Sequence, residues 1–231
     1  MINIYFMNVF LVTFCFLSPL LTYDFDKKIA ANIYVRIVHS TGCIFHLLPV
    51  LYRYPLTIMD PLKITPMPDS VKFIFDRSIS YFLWDCIALI IADEDEKGLF
   101  ILHHLLSVFS LSFARYYEFD WYLICVALFL AEVTNPLTQF SEYLQLIDRE
   151  NITFEKMYFQ SMVLVRGIIT PIIGLMYTYY IVHFFQYLRN MYLISVFINY
   201  SSMNLIISGS VCWIHKKYLL LYKNNNDKKM S

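Results

Sequence analysis

Glycine is scarce in this chain, at five residues in 231, and proline numbers only eight. That excludes collagen-like, low-complexity and linker-rich architectures, which need both in quantity. Charge is scarce as well, at 16% of residues, where soluble domains carry about a quarter. Lysine and arginine balance aspartate and glutamate, 18 against 18. Nothing therefore draws the chain as a whole to nucleic acid, and no nucleic-acid partner is expected. The five cysteines, Cys15, Cys43, Cys86, Cys125 and Cys212, form no CxxC pair and fall inside apolar stretches. They read as small buried hydrophobes, not as a disulfide framework or a zinc site, and no metal is expected.

What is abundant is apolar surface. Hydrophobic residues make up 58% and aromatic residues 18%, with 20 Phe and 19 Tyr, and the mean hydropathy is +0.53. Such a composition suits an all-α protein integral to the membrane, since a helix of about 20 apolar residues crosses the hydrocarbon core. Seven apolar spans are legible: Ile2 to Thr22, Ala30 to Tyr52, Phe73 to Ala92, Gly98 to Ala114, Phe119 to Phe140, Met157 to Leu188 and Met191 to Ile214. The expected architecture is about seven transmembrane helices enclosing a polar interior cavity. It divides into a first helix and loop (1–29), a six-helix domain (30–214) and a basic tail (215–231). The first span lacks a basic leader and is too long for a signal-peptide core, so it is read as a retained helix. The sixth exceeds the length needed to cross and is expected to tilt, or to kink at Pro171.

Lysine and arginine set the expected orientation. With the tail cytosolic, Lys27, Lys28, Lys97, Arg149, Lys156 and five tail lysines share that side. Arg53, Lys63, Lys72, Arg115 and Arg189 share the other. The closing Lys228-Lys229-Met230-Ser231 fits a dilysine address for the endoplasmic reticulum, the expected location. Asn151-Ile152-Thr153 is a glycosylation sequon, but this topology puts it on the cytosolic side, where it stays unmodified.

Ionisable groups at mid-bilayer cost about 2.5–3.5 kcal/mol each on insertion scales, yet this chain places several there, on shared faces. Arg36, His39, Cys43 and His46 fall within an arc of about 80° on one helix. Ser78, Tyr81 and Asp85 follow i, i+3, i+7. Glu132, Asn135, Gln139 and Glu142 form another stripe. His103 shares a face with Ser107 and Ser110, while the adjacent His104 points about 100° away. Arg166 and Thr170 lie one turn apart, and Asn199 and Ser202 mark the last span. Stripes on so many helices most simply converge on one interior. The cheapest pairing sets Arg36 and Arg166 against Asp85 and Glu132.

Each of these groups alone could be no more than interhelical glue. Two adjacent histidines with two acids go beyond what glue requires, and they suit general acid–base or nucleophilic chemistry of the acyl-transfer kind. His103 is the expected reactive ring, with Asp85 orienting it and Glu132 facing Arg166 or a charged substrate. His104 is expected to pack against a neighbouring helix. A metal-dependent lipid oxidase would need repeated HxxxH boxes, and none is present. A receptor reading has only Asn135-Pro136, with Gln139 where N-P-x-x-Y requires Tyr.

Taken in order, these pieces resemble the TLC (TRAM/Lag1/CLN8) domain family over roughly Ile33 to Trp213. Arg36-Ile37-Val38-His39 lies in an early helix. Tyr81-Phe82-Leu83-Trp84-Asp85 is similar to the Y-F-x-x-D of that family, His103-His104 to its histidine pair, and Glu132-Val133-Thr134-Asn135-Pro136 to the E-x-S/T-x-P of its smaller members. Arg166 falls where those members often carry arginine. The H-D-x-x-D box of ceramide synthases is missing, since that region reads Ala131-Glu132-Val133-Thr134-Asn135. The resemblance therefore implies a small TLC-type protein acting in lipid homeostasis or membrane phospholipid composition, with membrane lipids or acyl chains as partners. Arg36, His39, Tyr81, Glu132, Asn135 and Arg166 would line its interior. The alternative is an acyltransferase using His103, His104 and Asp85, with acyl-CoA as co-substrate and no resident cofactor. The oligomeric state is left open.

Overall fold

A computed structural model describes residues 25–54, 66–92, 97–118, 120–149, 151–184, 190–219 and 221. Everything regular among them is helical. The helices are α1 (Phe25–Arg53), α2 (Asp69–Ala92), α3 (Lys97–Tyr117), α4 (Trp121–Glu132), α5 (Asn135–Leu146), α6 (Ile152–Met162), α7 (Thr170–Phe184) and α8 (Asn190–Tyr218). A π-helical segment, Val163–Ile169, joins α6 to α7. The first expected span, most of the proline-rich loop, the acidic loop after α2 and most of the expected tail lie outside the described residues, while His215, Lys216 and Lys217 of that tail belong to the last turn of α8.

Local chemistry explains the boundaries. Pro66 and Pro68 cannot extend a helix backwards, and the Pro68 carbonyl accepts from the Val71 and Lys72 amides, so α2 begins at Asp69 with its acid in the favourable first turn. Asn151 caps α6, its Oδ1 accepting from Thr153 N at 3.0 Å and Phe154 N at 3.1 Å. Pro136, at the start of α5, has no N–H to give to the preceding turn. The helix therefore breaks at Val133–Thr134 between α4 and α5.

Among the described residues, four helical stretches are long and apolar enough to cross a membrane: Asn32–Arg53, Gly98–Tyr117, Trp121–Leu146 and Ile152–His183. They correspond to the second, fourth, fifth and sixth expected spans. α2 and α8, at 24 and 29 residues, have the length but are not among the four. In α2 the reason is visible. It carries Asp76, Arg77 and Asp85, and both aspartates are buried against arginines of neighbouring helices.

The core gathers around α2. Val71, Ile74, Phe75, Ser78 and Trp84 are fully buried. α2 pairs most extensively with α3. α1 lies across α2, α4 and α5, and α8 covers α3, α7 and the π segment. Large apolar side chains such as Phe45, Leu175, Val182 and Phe197 point outward and are at least 70% exposed, as expected where lipid is the solvent. Lipid offers no hydrophobic drive between helices, so close packing and polar contacts must hold them together. Three described cysteines, Cys43, Cys86 and Cys125, are buried as expected, but Cys212 is exposed.

Candidate functional site

Five chain segments bring polar side chains into one buried cluster. At one level, α1 presents Arg36 to Asp85 of α2. The guanidinium Nε and Nη2 each lie 3.0 Å from Oδ1. The other carboxylate oxygen, Oδ2, lies 3.4 Å from Nδ1 of His104 on α3. One aspartate thus holds an arginine and a histidine together. Both Asp85 and His104 are buried.

The next turn of α1 carries His39, which is fully buried and lies flat on the Tyr81 ring with centroids 3.7 Å apart. Its Nε2 lies 3.7 Å from Glu132 Oε1 and 3.4 Å from Cys43 Sγ. Glu132, the last residue of α4, also accepts from Ser40 Oγ at 2.7 Å and Asn135 Nδ2 at 2.8 Å. Asn135 then turns its Oδ1 to Arg166, which donates from Nη2 at 2.5 Å.

Arg166 sits at the centre of the π segment. Besides Asn135 it donates to the Ala131 carbonyl at 2.8 Å and to Thr134 Oγ1 at 3.0 Å. All three acceptors lie at the α4–α5 break, one a backbone carbonyl near the end of α4 and two the side-chain oxygens of Thr134 and Asn135. Two backbone irregularities in two helices therefore face one another, and one guanidinium closes the gap. The π turn is sustained locally. Thr170 bonds back five residues to Val165, through its amide and through Oγ1 at 2.9 Å, and Pro171 brings no N–H to restore the α pattern. Single π turns inside α-helices occur often at functional sites.

The sequence-based candidates are thus placed as follows. Arg36, His39, Tyr81, Asp85, His104, Glu132, Asn135 and Arg166 are brought together. Two pairings differ from expectation. Asp85 meets His104 and not His103. The adjacent rings, 5.4 Å apart, diverge as expected, and it is the second one that meets Asp85. Arg166 does not pair with Glu132, because Asn135 stands between them. His46 is exposed and lies by the Phe73 ring, and Glu142 is exposed. His46 is not bonded into the cluster, whereas Glu142 lies within electrostatic reach of Arg36. Asn199 and Ser202 on α8 also lie apart from it. Two participants were missed by the stripes. Ser40 lies at i+4 from Arg36, to whose carbonyl its Oγ also donates at 2.8 Å, and Thr134 lies in the helix break. An i+4 step as well as i+3 would have found the serine.

Outside the cluster, at the far end of α2, Asp76 pairs with Arg115 at 3.1 Å and Lys72 with Glu118 at 2.8 Å. Among the described residues no group of three or more histidine, cysteine and carboxylate side chains is set to hold a metal ion.

The chemistry available is that of an imidazole beside a carboxylate. Asp85 Oδ2 stands 3.4 Å from Nδ1 of His104 without a hydrogen bond between them, next to a cation and a second acid–histidine pair. An apolar helical bundle around such a cluster defines an integral membrane protein with a polar interior cluster. The TLC domain (TRAM, Lag1, CLN8) matches residues 30–216, and the chain belongs to that family. No curated protein matches the chain in sequence.

Proposed function

We propose that this protein handles lipid within its bundle, acting in lipid homeostasis or membrane phospholipid composition in the endoplasmic reticulum. Four described helical stretches are long and apolar enough to cross a membrane, which supports a multi-span bundle. One observation carries the reading: a cluster of two arginines, two acids and two histidines in a bundle whose outside is apolar. Each such group is costly in a membrane, and the family to which the chain belongs makes lipid the natural occupant. The basic residues support the orientation. Lys97, Arg149, Lys156, Lys216 and Lys217 fall at one end of the helices, and Arg53, Lys72 and Arg115 at the other.

A second reading is favoured by the 3.4 Å approach of His104 to Asp85. An acyl-CoA-dependent acyltransferase would use the oriented ring to move protons at an acyl carbonyl. Against it stands the missing H-D-x-x-D box. Lipid profiling of cells expressing the chain separates the two. Both readings expect a changed profile. The enzyme reading expects the His103→Ala/His104→Ala double variant to abolish the change while the protein still accumulates. The binding reading expects the change to persist in part. An unchanged profile on expression of the intact chain would count against both.

A further inference from the structure

α8 has one face that the bundle uses and one that it does not. Val196, Ser202, Met203 and Ser210 are buried. Ile207 and Ile214 reach the glycines of the neighbouring span: a Cβ on Gly174 would lie 3.1 Å from Ile207 Cδ1, and one on Gly167 3.3 Å from Ile214 Cδ1. These contacts lay α8 along the Ile152–His183 span. The other face carries Phe197, Tyr200, Asn204, Ser208, Val211 and Cys212, all exposed. Tyr200, Asn204, Ser208 and Cys212 recur at every fourth residue and form one ridge.

Asn204 is out of place on a lipid-facing ridge. It is the middle residue of the 29-residue α8. Its neighbour Met203 meets Gly174, which lies inside the crossing span, so hydrocarbon and not water surrounds the exposed amide. Nδ2 donates to the Tyr200 carbonyl at 2.8 Å, while Oδ1 has no donor among the described residues. Hydrocarbon supplies none, and an unpaired polar group there is costly. Gly209, which borders the ridge between Ser208 and Cys212, is an independent sign. An interior glycine costs a helix about 1 kcal/mol. Gly167 and Gly174 offset that cost through close approaches inside the bundle, but a Cβ on Gly209 would meet nothing within 4 Å. The room it leaves lies outside the bundle.

The occupant that fits is a second copy of the chain. α8 has no charged residue from Asn190 to Ile214, so a charged partner finds no complement there. A primary amide both donates and accepts, and two amides complete each other. All copies insert with one orientation, so α8 meets α8 in parallel and residues of equal depth face each other across a twofold axis. We propose that the outward ridge of α8 is a symmetric dimer interface in which Asn204 of each copy hydrogen-bonds to Asn204 of the other. A row of small and polar residues at every fourth position gives a right-handed crossing, with Ser208 at closest approach and Cys212 near its counterpart. Lipid handling plays no part in this interface.

Cys212 supplies the test, being the exposed cysteine among those described. Membranes holding the full chain with Cys15→Ser, at low expression, are treated with a short bifunctional maleimide. A dimer band should form, vanish in Cys212→Ser, weaken about fivefold or more in Asn204→Leu, as for loss of an amide bond between membrane helices, and persist in part in Asn204→Gln. Leu175→Cys, on the outward face of α7 in a Cys212→Ser background, should give no band. Energy transfer between donor- and acceptor-tagged copies in lipid vesicles reads the same association without the cysteine, and it should fall in Asn204→Leu. Absence of energy transfer in the intact chain overturns the inference. So does a band or an energy transfer that survives Asn204→Leu undiminished, or a band from Leu175→Cys as strong as that from Cys212.

Discussion

Asp85 is the residue on which the chemistry turns, because its two oxygens serve different partners. Arg36 holds Oδ1, and the ring of His104 approaches Oδ2. If the protein catalyses acyl transfer, the ring that matters is therefore His104. His104→Ala should abolish the lipid change caused by expression, and His103→Ala should leave a partial effect. The reverse order, read by the same lipid profiling, would contradict the assignment. Glu132 has a different role. Removing its carboxylate in Glu132→Leu would strand Ser40, Asn135 and His39 together, whereas Ser40→Ala removes a single bond. The first should cost about 3 kcal/mol, as for breaking a buried pair, and the second about 1 kcal/mol. Reversible unfolding in detergent would check the ranking, and equal costs would mean that Glu132 is not the hub of its network. The Arg36–Asp85 pairing was legible in the sequence because each residue lies on the one polar face of its helix. The choice between His103 and His104 was not. Adjacent helical residues differ by about 100°, and the packing of α3 on α2 decides which ring meets Asp85.

At the scale of elements, the two interrupted helices carry the argument. Neither interruption was legible as such. Pro171 marked a place where the α pattern weakens and Pro136 was not read that way, and the sequence does not say whether a proline bends a helix, ends it or induces a π turn. Each solution depends on where the freed backbone groups find partners, which is tertiary information. The same holds at the packing of α7 on α8. Gly174 lets α8 approach closely. A Cβ there would lie 3.1 Å from Ile207 Cδ1 and 3.3 Å from Met203 Sδ. Those are flexible tips, so Gly174→Ala should be nearly neutral. Gly174→Leu should force the helices apart and lower the melting temperature by several degrees, in line with the role of small residues at membrane helix interfaces. No shift with leucine would refute that packing. The α3–α4 turn makes a third case. Lys72 lies 2.8 Å from Glu118 and, with the Met67 amide, holds its carboxyl below the ordinary carboxylate value. A depressed value in the folded state stabilises above the unfolded value of about 4.3, and that contribution is lost as pH falls through the folded value. Glu118→Gln should therefore flatten a small part of the acid limb of a melting-temperature profile and leave its shape above pH 6 unchanged. The effect is small because the pair is partly exposed.

At the scale of the whole molecule, the protein exposes many large apolar side chains to lipid while keeping a small set of ionisable side chains buried between its helices. Hydropathy alone recognised most of this in the sequence. It undervalued α2, whose ionisable side chains lower its hydropathy although they face the interior, as Asp76 and Asp85 do toward Arg115 and Arg36. The central claim is that the interior, and not the outer surface, receives the lipid. The most direct measurement is photocrosslinking of a diazirine-bearing fatty acid to the full chain in membranes, with the labelled residues mapped by mass spectrometry. The account predicts labels on residues beside the cluster, such as Ile33, Leu111 and Val165, competed away by excess unlabelled lipid. Labels confined to outward side chains such as Phe45, Leu175 and Val182, and unaffected by competition, would contradict it.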